Sequence, residues 1–250
     1  MPLIELPDQK LDESSPTPLY YQLRELIADT IKGGQYGPEY KLPSERELAE
    51  KYGLSRMTVR QATIALVNDG FLVRKRGMGT FVSPPKVEQG LLKLTGFTED
   101  MRQRGMVPST RILAMKQEQA SENTARKLGI AEGEGIILLE RLRLADGEPM
   151  AYERCHLPQG RFPELTEDDL KGQSLYALLT TKYNISFESA KQSLEATVAT
   201  KREAAMLNVT RGAPLLLLER STLDQNGRVI EFVKSLYRAD RYKFHVHLLR

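Results

Sequence analysis

The chain has 250 residues, a formal net charge of +3, 40% hydrophobic and 28% charged residues, and no tryptophan. That length suits a small domain plus a medium one, and no apolar run approaches the ~20 residues of a membrane helix; Ile136–Leu139 and Leu215–Leu218 end at Glu140 and Glu219. The Pro-rich, acidic N-terminus is unlike a secretory or transit peptide, and Cys155, the only cysteine, excludes an internal disulfide and suits a cytoplasmic protein.

Residues 1–16 carry no sustained periodicity and are expected to form a flexible tail. A first helix is predicted after Pro18, with Leu19, Leu23, Leu26 or Ile27, and Ile31 at helical spacing and Gly33-Gly34 as its stop. Ser44 and Glu47 form a capping-box pattern that opens a second helix, closed by Gly53. Ser55 caps a third, running to about Asp69, with Met57, Ala62, Ile64, Ala65 and Leu66 as candidate inward residues. Phe71–Arg74 and Thr80–Val82 read as short strands around a turn holding Gly77 and Gly79. Ser83-Pro84-Pro85 ends this domain, because adjacent prolines stop both helix and ladder. The expected division is therefore a domain over 17–83, a linker over 84–90 and a second domain over 91–250.

Beyond the linker the pattern is strand-rich. Helices are predicted at Phe97–Arg104 (capped by Thr95), Ser121–Leu128, Leu165–Leu170, Ser174–Tyr183 and Lys201–Leu207. Strands are predicted at Thr110–Gln117 and Ile185–Ala199, in hairpins around Asp146-Gly147 and Asn226-Gly227, and at Lys243–Leu249. A weak internal repeat of helix, glycine, apolar strand, turn and strand occurs at 122–157 and again at 202–238, each copy carrying the tetrapeptide LLER. Two such units imply one antiparallel sheet with helices on a face, an α+β domain with a natural pocket between the halves.

Between positions 41 and 76 eight basic residues face four acidic ones, so one short segment carries more than the net charge of the chain. Arg56, Thr58, Arg60 and Gln61 open the third helix, where a recognition helix meets base edges. Arg74, Lys75 and Arg76 beside Gly77 and Gly79 bring charge and bare backbone to a groove. The stretches PLYYQL, LPSERELAEKYGLSRMTVRQA and the glycine-rich hairpin resemble the winged helix-turn-helix of GntR-family bacterial regulators. The resemblance implies that Arg46 and Arg56 read guanines of a short palindrome, with Ser44, Ser55, Thr58, Arg60 and Gly77 at the backbone or groove. It also implies a homodimer on double-stranded operator DNA, which two-fold half-sites favour on physical grounds.

In the second domain Ile137, Leu139, Arg141 and Arg143 share one strand face by period two. Burying two unpaired guanidinium groups is expensive, and a phosphate or carboxylate would satisfy both; a cross-strand salt bridge of Arg143 with Glu153 or Glu231 is the alternative. Thr98, near a helix start, could add a hydroxyl. The stretch LTGFTEDMRQRGMVPSTRIL and the segments R-L-R-L-A-D-G and E-F-x-K-S-x-Y-R-x-D-R-Y resemble the HutC-type effector domain (UTRA, similar in fold to chorismate lyase), nearest to repressors of N-acetylglucosamine use. That resemblance puts Phe97, Thr98, Arg141 and Arg143 on the phosphate side of an amino-sugar phosphate, and Glu153, Ser174, Tyr176, Glu231 and Tyr237 on the sugar side. Gly96 departs from the small polar residue of those repressors. Other sugar phosphates, urocanate or a fatty acid are alternative effectors. An enzyme is the rival class, but no acid–base pair or nucleophile constellation supports it. Cys155 and His156 point to opposite strand faces, His245 and His247 lack an evident third ligand, and the reading requires no metal or cofactor.

Overall fold

The computed structural model describes residues 1–75, 77–84, 86–90 and 94–246. The chain divides into two compact units, Met1–Val87 and Glu88–Arg250. No helix among the described residues is long and apolar enough to cross a membrane.

The first unit contains α1 (Leu19–Lys32), α2 (Glu45–Tyr52), α3 (Arg56–Asn68) and the hairpin β1 (Leu72–Lys75) and β2 (Gly79–Val82). Leu23 and Ile27 of α1, Leu48 of α2, Val59, Ala62 and Leu66 of α3, and Leu72 and Val82 of the hairpin form one buried core. Arg24 fastens α1 to the end of α3 through Asp69, at 2.6 Å. The α2 capping box is complete, with Glu47 N–H donating to Ser44 Oγ at 3.2 Å and Ser44 N–H to Glu47 Oε2 at 2.7 Å.

Two expectations are corrected here. Residues 1–16 are not a free tail along their whole length: Ile4 and Leu6 are buried in the core of the unit. Ile4 N–H donates to the Lys41 carbonyl at 2.9 Å, and Lys51 donates to the Leu6 carbonyl at 2.7 Å. Two apolar residues bonded to a distant loop leave no periodicity to read. Replacing Ile4 with alanine is expected to destabilise this unit by about 2–4 kcal/mol, measurable as a lower urea midpoint of the full chain. The inward face of α3 also differs. Val59, Ala62, Thr63 and Leu66 are buried, whereas Met57 and Ile64 are 70% and 42% exposed. Both stripes fit helical spacing, and only packing against α1 decides which one turns inward.

The second unit begins with β3 (Val87–Gly90), so the last four residues assigned to a linker over 84–90 are strand. Next come α4 (Phe97–Gln103), β4 (Pro108–Gln119), α5 (Glu122–Leu128), β5 (Gly135–Ala145) and β6 (Glu148–Pro158). After them follow α6 (Leu175–Tyr183), β7 (Phe187–Val198), α7 (Lys201–Leu207), β8 (Pro214–Asp224), β9 (Val229–Arg238) and β10 (Tyr242–His245), which pairs with β3. Residues 165–170 form only a single turn of 3-10 helix at Asp168–Leu170, Ser174 is the N-cap of α6 rather than its first residue, and positions 247–249 of the last predicted strand lie outside the described residues. Thr95 does not cap α4; its hydroxyl donates to Asp100 Oδ1 at 2.6 Å.

Six strands make one antiparallel sheet in the order β4-β5-β6-β9-β8-β7. The internal repeat explains that order: β4-α5-β5-β6 and β7-α7-β8-β9 are two copies joined where β6 pairs with β9. Asp146 and Gly147 both adopt positive φ (50° and 77°), as a two-residue hairpin turn requires. One sheet face packs Ile136 and Phe232 under α5, and Leu142, Tyr152 and Leu215 under α7. The opposite face packs Leu139, Cys155 and Leu157 against Leu178 and Leu179 of α6. Burial on both faces accounts for the nearly continuous apolar runs of β5 and β8.

Candidate functional sites

In the first unit the DNA-reading candidates lie on one exposed stretch. Ser55 caps α3, accepting from Thr58 N–H at 3.1 Å, and its Oγ lies 2.8 Å from Thr58 Oγ1. Arg56, Arg60 and Gln61 project from α3 into solvent, and among the described residues neither arginine has an ion-pair partner. Arg46 on α2 is exposed beside Glu50 at 3.9 Å. In the hairpin, Arg74 lies 3.6 Å from Glu45 and Lys75 caps the Phe81 ring at 4.5 Å. Gly77 adopts φ 73°, a conformation that favours glycine; Arg76 lies outside the described residues.

In the second unit the strand register builds a pocket from the sheet upward. Arg141 of β5 lies opposite Glu153 of β6, which lies opposite Ser235 of β9, opposite Leu218 of β8. The neighbouring rows bring Arg143 beside Ala151 and Tyr237, Val233 beside Arg220, and Glu231 beside Thr222. All of these point to one face, and the start of α6 (Ser174, Tyr176) and the chain entering α4 (Thr95, Phe97) close over them. Eight of the nine effector candidates line this cavity; the ninth, Thr98, lies behind it.

The polar contacts are dense. Arg141 Nη2 is 2.9 Å and Arg143 Nη1 3.7 Å from Glu153 Oε2, so the cross-strand ion pair expected of Arg143 belongs mainly to Arg141. Arg143 Nη2 donates to Thr98 Oγ1 at 2.9 Å, and its guanidinium stacks 4.7 Å above the Phe97 ring. Glu231 accepts from Tyr176 Oη at 3.0 Å, Thr222 Oγ1 at 3.1 Å and Cys155 Sγ at 3.4 Å. Burial pushes the Cys155 thiol well up, reinforced by the Glu231 charge, so it is a neutral, packed donor. His156 faces the other way and stacks on Phe232 at 5.7 Å.

Sequence reasoning missed Arg220, which is 9% exposed and belongs to the same pocket. It donates from Nε to Gln192 at 2.8 Å and from Nη1 to the Thr95 carbonyl at 3.2 Å. The signal was present: Leu217-Leu218-Glu219-Arg220 repeats Leu138-Leu139-Glu140-Arg141, so Arg220 is the counterpart of Arg141 in the other half. The partner glutamates repeat as well, with Glu140 bound to Arg154 and Glu219 to Lys234 on the opposite face.

Three buried guanidinium groups thus face two buried carboxylates, and Nε of both Arg141 and Arg143 lacks a hydrogen-bond partner among the described residues. Burial depresses Arg143 to about 10 against the pull of Glu153. For Arg141, burial acts in the same direction, but Glu153 and the other acidic neighbours outweigh it and hold the group above its ordinary value. Such a site gains by taking in an anion. Its free volume is only about 40 Å³, roughly one water's share of space, so a sugar-sized guest requires the roof to move. Thr98 lines a neighbouring cavity of about 380 Å³ with Arg102, Thr110 and Gln173. The Thr98–Arg143 hydrogen bond therefore spans the wall between the two. Among the described residues no cluster of His, Cys, Asp and Glu is placed to hold a metal ion.

Residues 19–82 match the family described as bacterial regulatory proteins, gntR family, and residues 103–243 match the UTRA domain. The chain is 46% identical over 239 residues to the HTH-type transcriptional repressor NagR of Bacillus subtilis, covering 96% of this chain and 98% of that protein. It is 30% identical over 207 residues to the histidine utilization repressor of Pseudomonas putida, covering 83% of each. The crystal structure of PhnF from Mycobacterium smegmatis superposes with a TM-score of 0.63 at 32% identity, covering 90% of this chain and 98% of that one. With a capped helix-turn-helix and glycine-turned hairpin in one unit and the sheet-borne pocket in the other, the chain belongs to the GntR family as a transcriptional repressor carrying a UTRA effector domain.

Proposed function

We propose that this repressor binds a palindromic operator as a cytoplasmic homodimer and releases it when a phosphorylated amino sugar, glucosamine 6-phosphate or N-acetylglucosamine 6-phosphate, enters the pocket of the second unit. The observation that carries the reading is the excess of buried guanidinium over carboxylate on one sheet face, with two Nε–H groups unpartnered. Phosphate answers that excess with charge and acceptor oxygens together. The carboxylates of Glu153 and Glu231, with Ser174, Tyr176 and Tyr237, offer acceptors and hydroxyls suited to sugar hydroxyls or a 2-ammonium group. In this assignment Phe97, Thr98, Arg141 and Arg143 serve the phosphate. The 46% identity to NagR and the resemblance to repressors of N-acetylglucosamine use support the sugar class.

The closed pocket bears on mechanism. A guest larger than one water must displace Tyr176, which is bonded to Glu231 and lies within 3.3 Å of Thr222 Oγ1, or the chain around Thr95. The ligand therefore binds an open arrangement better than the closed one, and that difference in affinity is what shifts a population. On the DNA side, Arg46, Arg56 and Gln61 read bases, with Ser44, Ser55, Thr58, Arg60, Arg76 and Gly77 at the backbone or groove.

A thermal-shift and calorimetric series tests the effector. Glucosamine 6-phosphate or its N-acetyl form is expected to raise Tm and weaken operator binding, with glucose 6-phosphate weaker and urocanate and fatty acids silent. Stabilisation by urocanate or a fatty acid with none by the amino-sugar phosphates would overturn the assignment.

A further inference from the structure

Both edges of the six-stranded sheet are long, and they are not alike. The β4 edge starts at Pro108 and its register breaks in mid-strand, between Ile112 and Ala114. The β7 edge is disturbed only at its start, between Phe187 and Ser189, and runs regularly from there to Val198. Its side chains are exposed on both faces over most of its length, including Leu194 at 38% and Val198 at 60%. A regular, uncovered edge strand without proline is a template for another strand.

The charges on β7 say which strand. In an antiparallel pair, opposed residues both turn their backbone groups toward the partner or both turn them away. A strand pairing with a second copy of itself can therefore oppose only positions an even number of residues apart. Lys191 is the one cation of β7, and its acidic residues are Glu188 and Glu195. Glu188 is an odd number of positions from Lys191 and cannot oppose it; Glu195 can. That register centres on Ser193 and sets Lys191 against Glu195 twice, Ala190 against Ala196 and Ser189 against Thr197. Centring on residue 191 would instead set lysine against lysine. Among the described residues neither Lys191 nor Glu195 has an ion-pair partner within its own chain, and both are exposed.

We propose that two copies of this chain join through β7, paired antiparallel about Ser193, so that their six-stranded sheets become one continuous sheet. The inference rests on the dimeric reading above and names its interface. It also brings the interface close to the effector pocket, because Gln192, which accepts from Arg220 of the pocket, would stand opposite Leu194 of the second copy.

Sedimentation of the full chain at micromolar concentration tests it. Lys191→Glu and Glu195→Lys are each expected to raise the dimer dissociation constant by roughly tenfold or more, since each sets like charges opposite one another twice. The double variant K191E/E195K restores the opposed pairs and is expected to dimerise like the wild type. Ser193→Cys is expected to give a disulfide-linked dimer under mild oxidation, because directly opposed Cα atoms lie within disulfide range. The wild type, whose Cys155 is buried, gives none. A wild-type dimer indifferent to both single changes, a double variant no better than the singles, or an S193C protein that stays unlinked overturns the β7 interface while leaving the dimer in place. A monomeric wild type overturns the dimeric reading itself.

Discussion

Replacing Arg141 with alanine is expected to weaken binding of glucosamine 6-phosphate by roughly a hundredfold or more, since two charge-assisted hydrogen bonds at about 1.5–3 kcal/mol each are lost. Operator affinity of the unliganded protein should be unchanged, because Arg141 belongs to the second unit. The substitution also strands a carboxylate. Glu153 is 6% exposed, and without Arg141 at 2.9 Å it keeps only Arg143 at 3.7 Å. Breaking a buried pair in this way costs about 3–5 kcal/mol, so Tm falls as well. Adding Glu153→Gln removes the stranded charge, and is expected to recover part of the stability but none of the phosphate affinity. Calorimetry and thermal unfolding on both variants separate the two effects. An R141A protein that binds the sugar phosphate as tightly as the wild type would remove Arg141 from the phosphate site.

Arg56→Ala carries the largest expected effect at the DNA end. Arg56 opens α3 with an exposed side chain and no ion pair among the described residues. A bidentate arginine–guanine contact contributes about 1–3 kcal/mol of discrimination against the wrong base. The variant should therefore bind its operator roughly ten- to a hundredfold more weakly and lose preference at one base pair of each half-site. Arg60→Ala, assigned to the backbone, should weaken all sequences alike and flatten the salt dependence by about one phosphate contact. Anisotropy titrations against single-base operator variants at fixed salt distinguish the two patterns, and a uniform loss for R56A would place that residue on phosphate.

Local features were legible in the chain because local chemistry produces them. The Ser44–Glu47 capping box, the Ser55 cap, the Asp146-Gly147 and Asn226-Gly227 turns and the two LLER strands each involve residues a few positions apart. Parity along β5 was enough to put Arg141 and Arg143 on one face, and parity along β9 did the same for Glu231 and Tyr237. The faces of α3 were not legible. Met57 and Ile64 keep helical spacing as well as Val59 and Leu66 do, and no local term prefers one stripe. The docking of Ile4 and Leu6 was equally silent, because their partners are some forty residues away.

By itself, then, the sequence determined the alternation of elements, the caps and turns that bound them, the basic footprint of the helix-turn-helix and the pair of arginines on β5. These follow from spacing along one chain and the side-chain chemistry at each position. Only the tertiary structure decided the order of strands in the sheet, and with it every cross-strand partner. Pairing β6 with β9 aligns the two repeats, brings Arg220 to the pocket from a strand some eighty residues after Arg141, and divides the carboxylates so that Glu153 holds Arg141 while Glu231 takes Tyr176, Thr222 and Cys155. It also decided that the pocket is shut, with room for about one water. Register and closure depend on burying both faces of one sheet at once, a condition that exists only after the two halves have met.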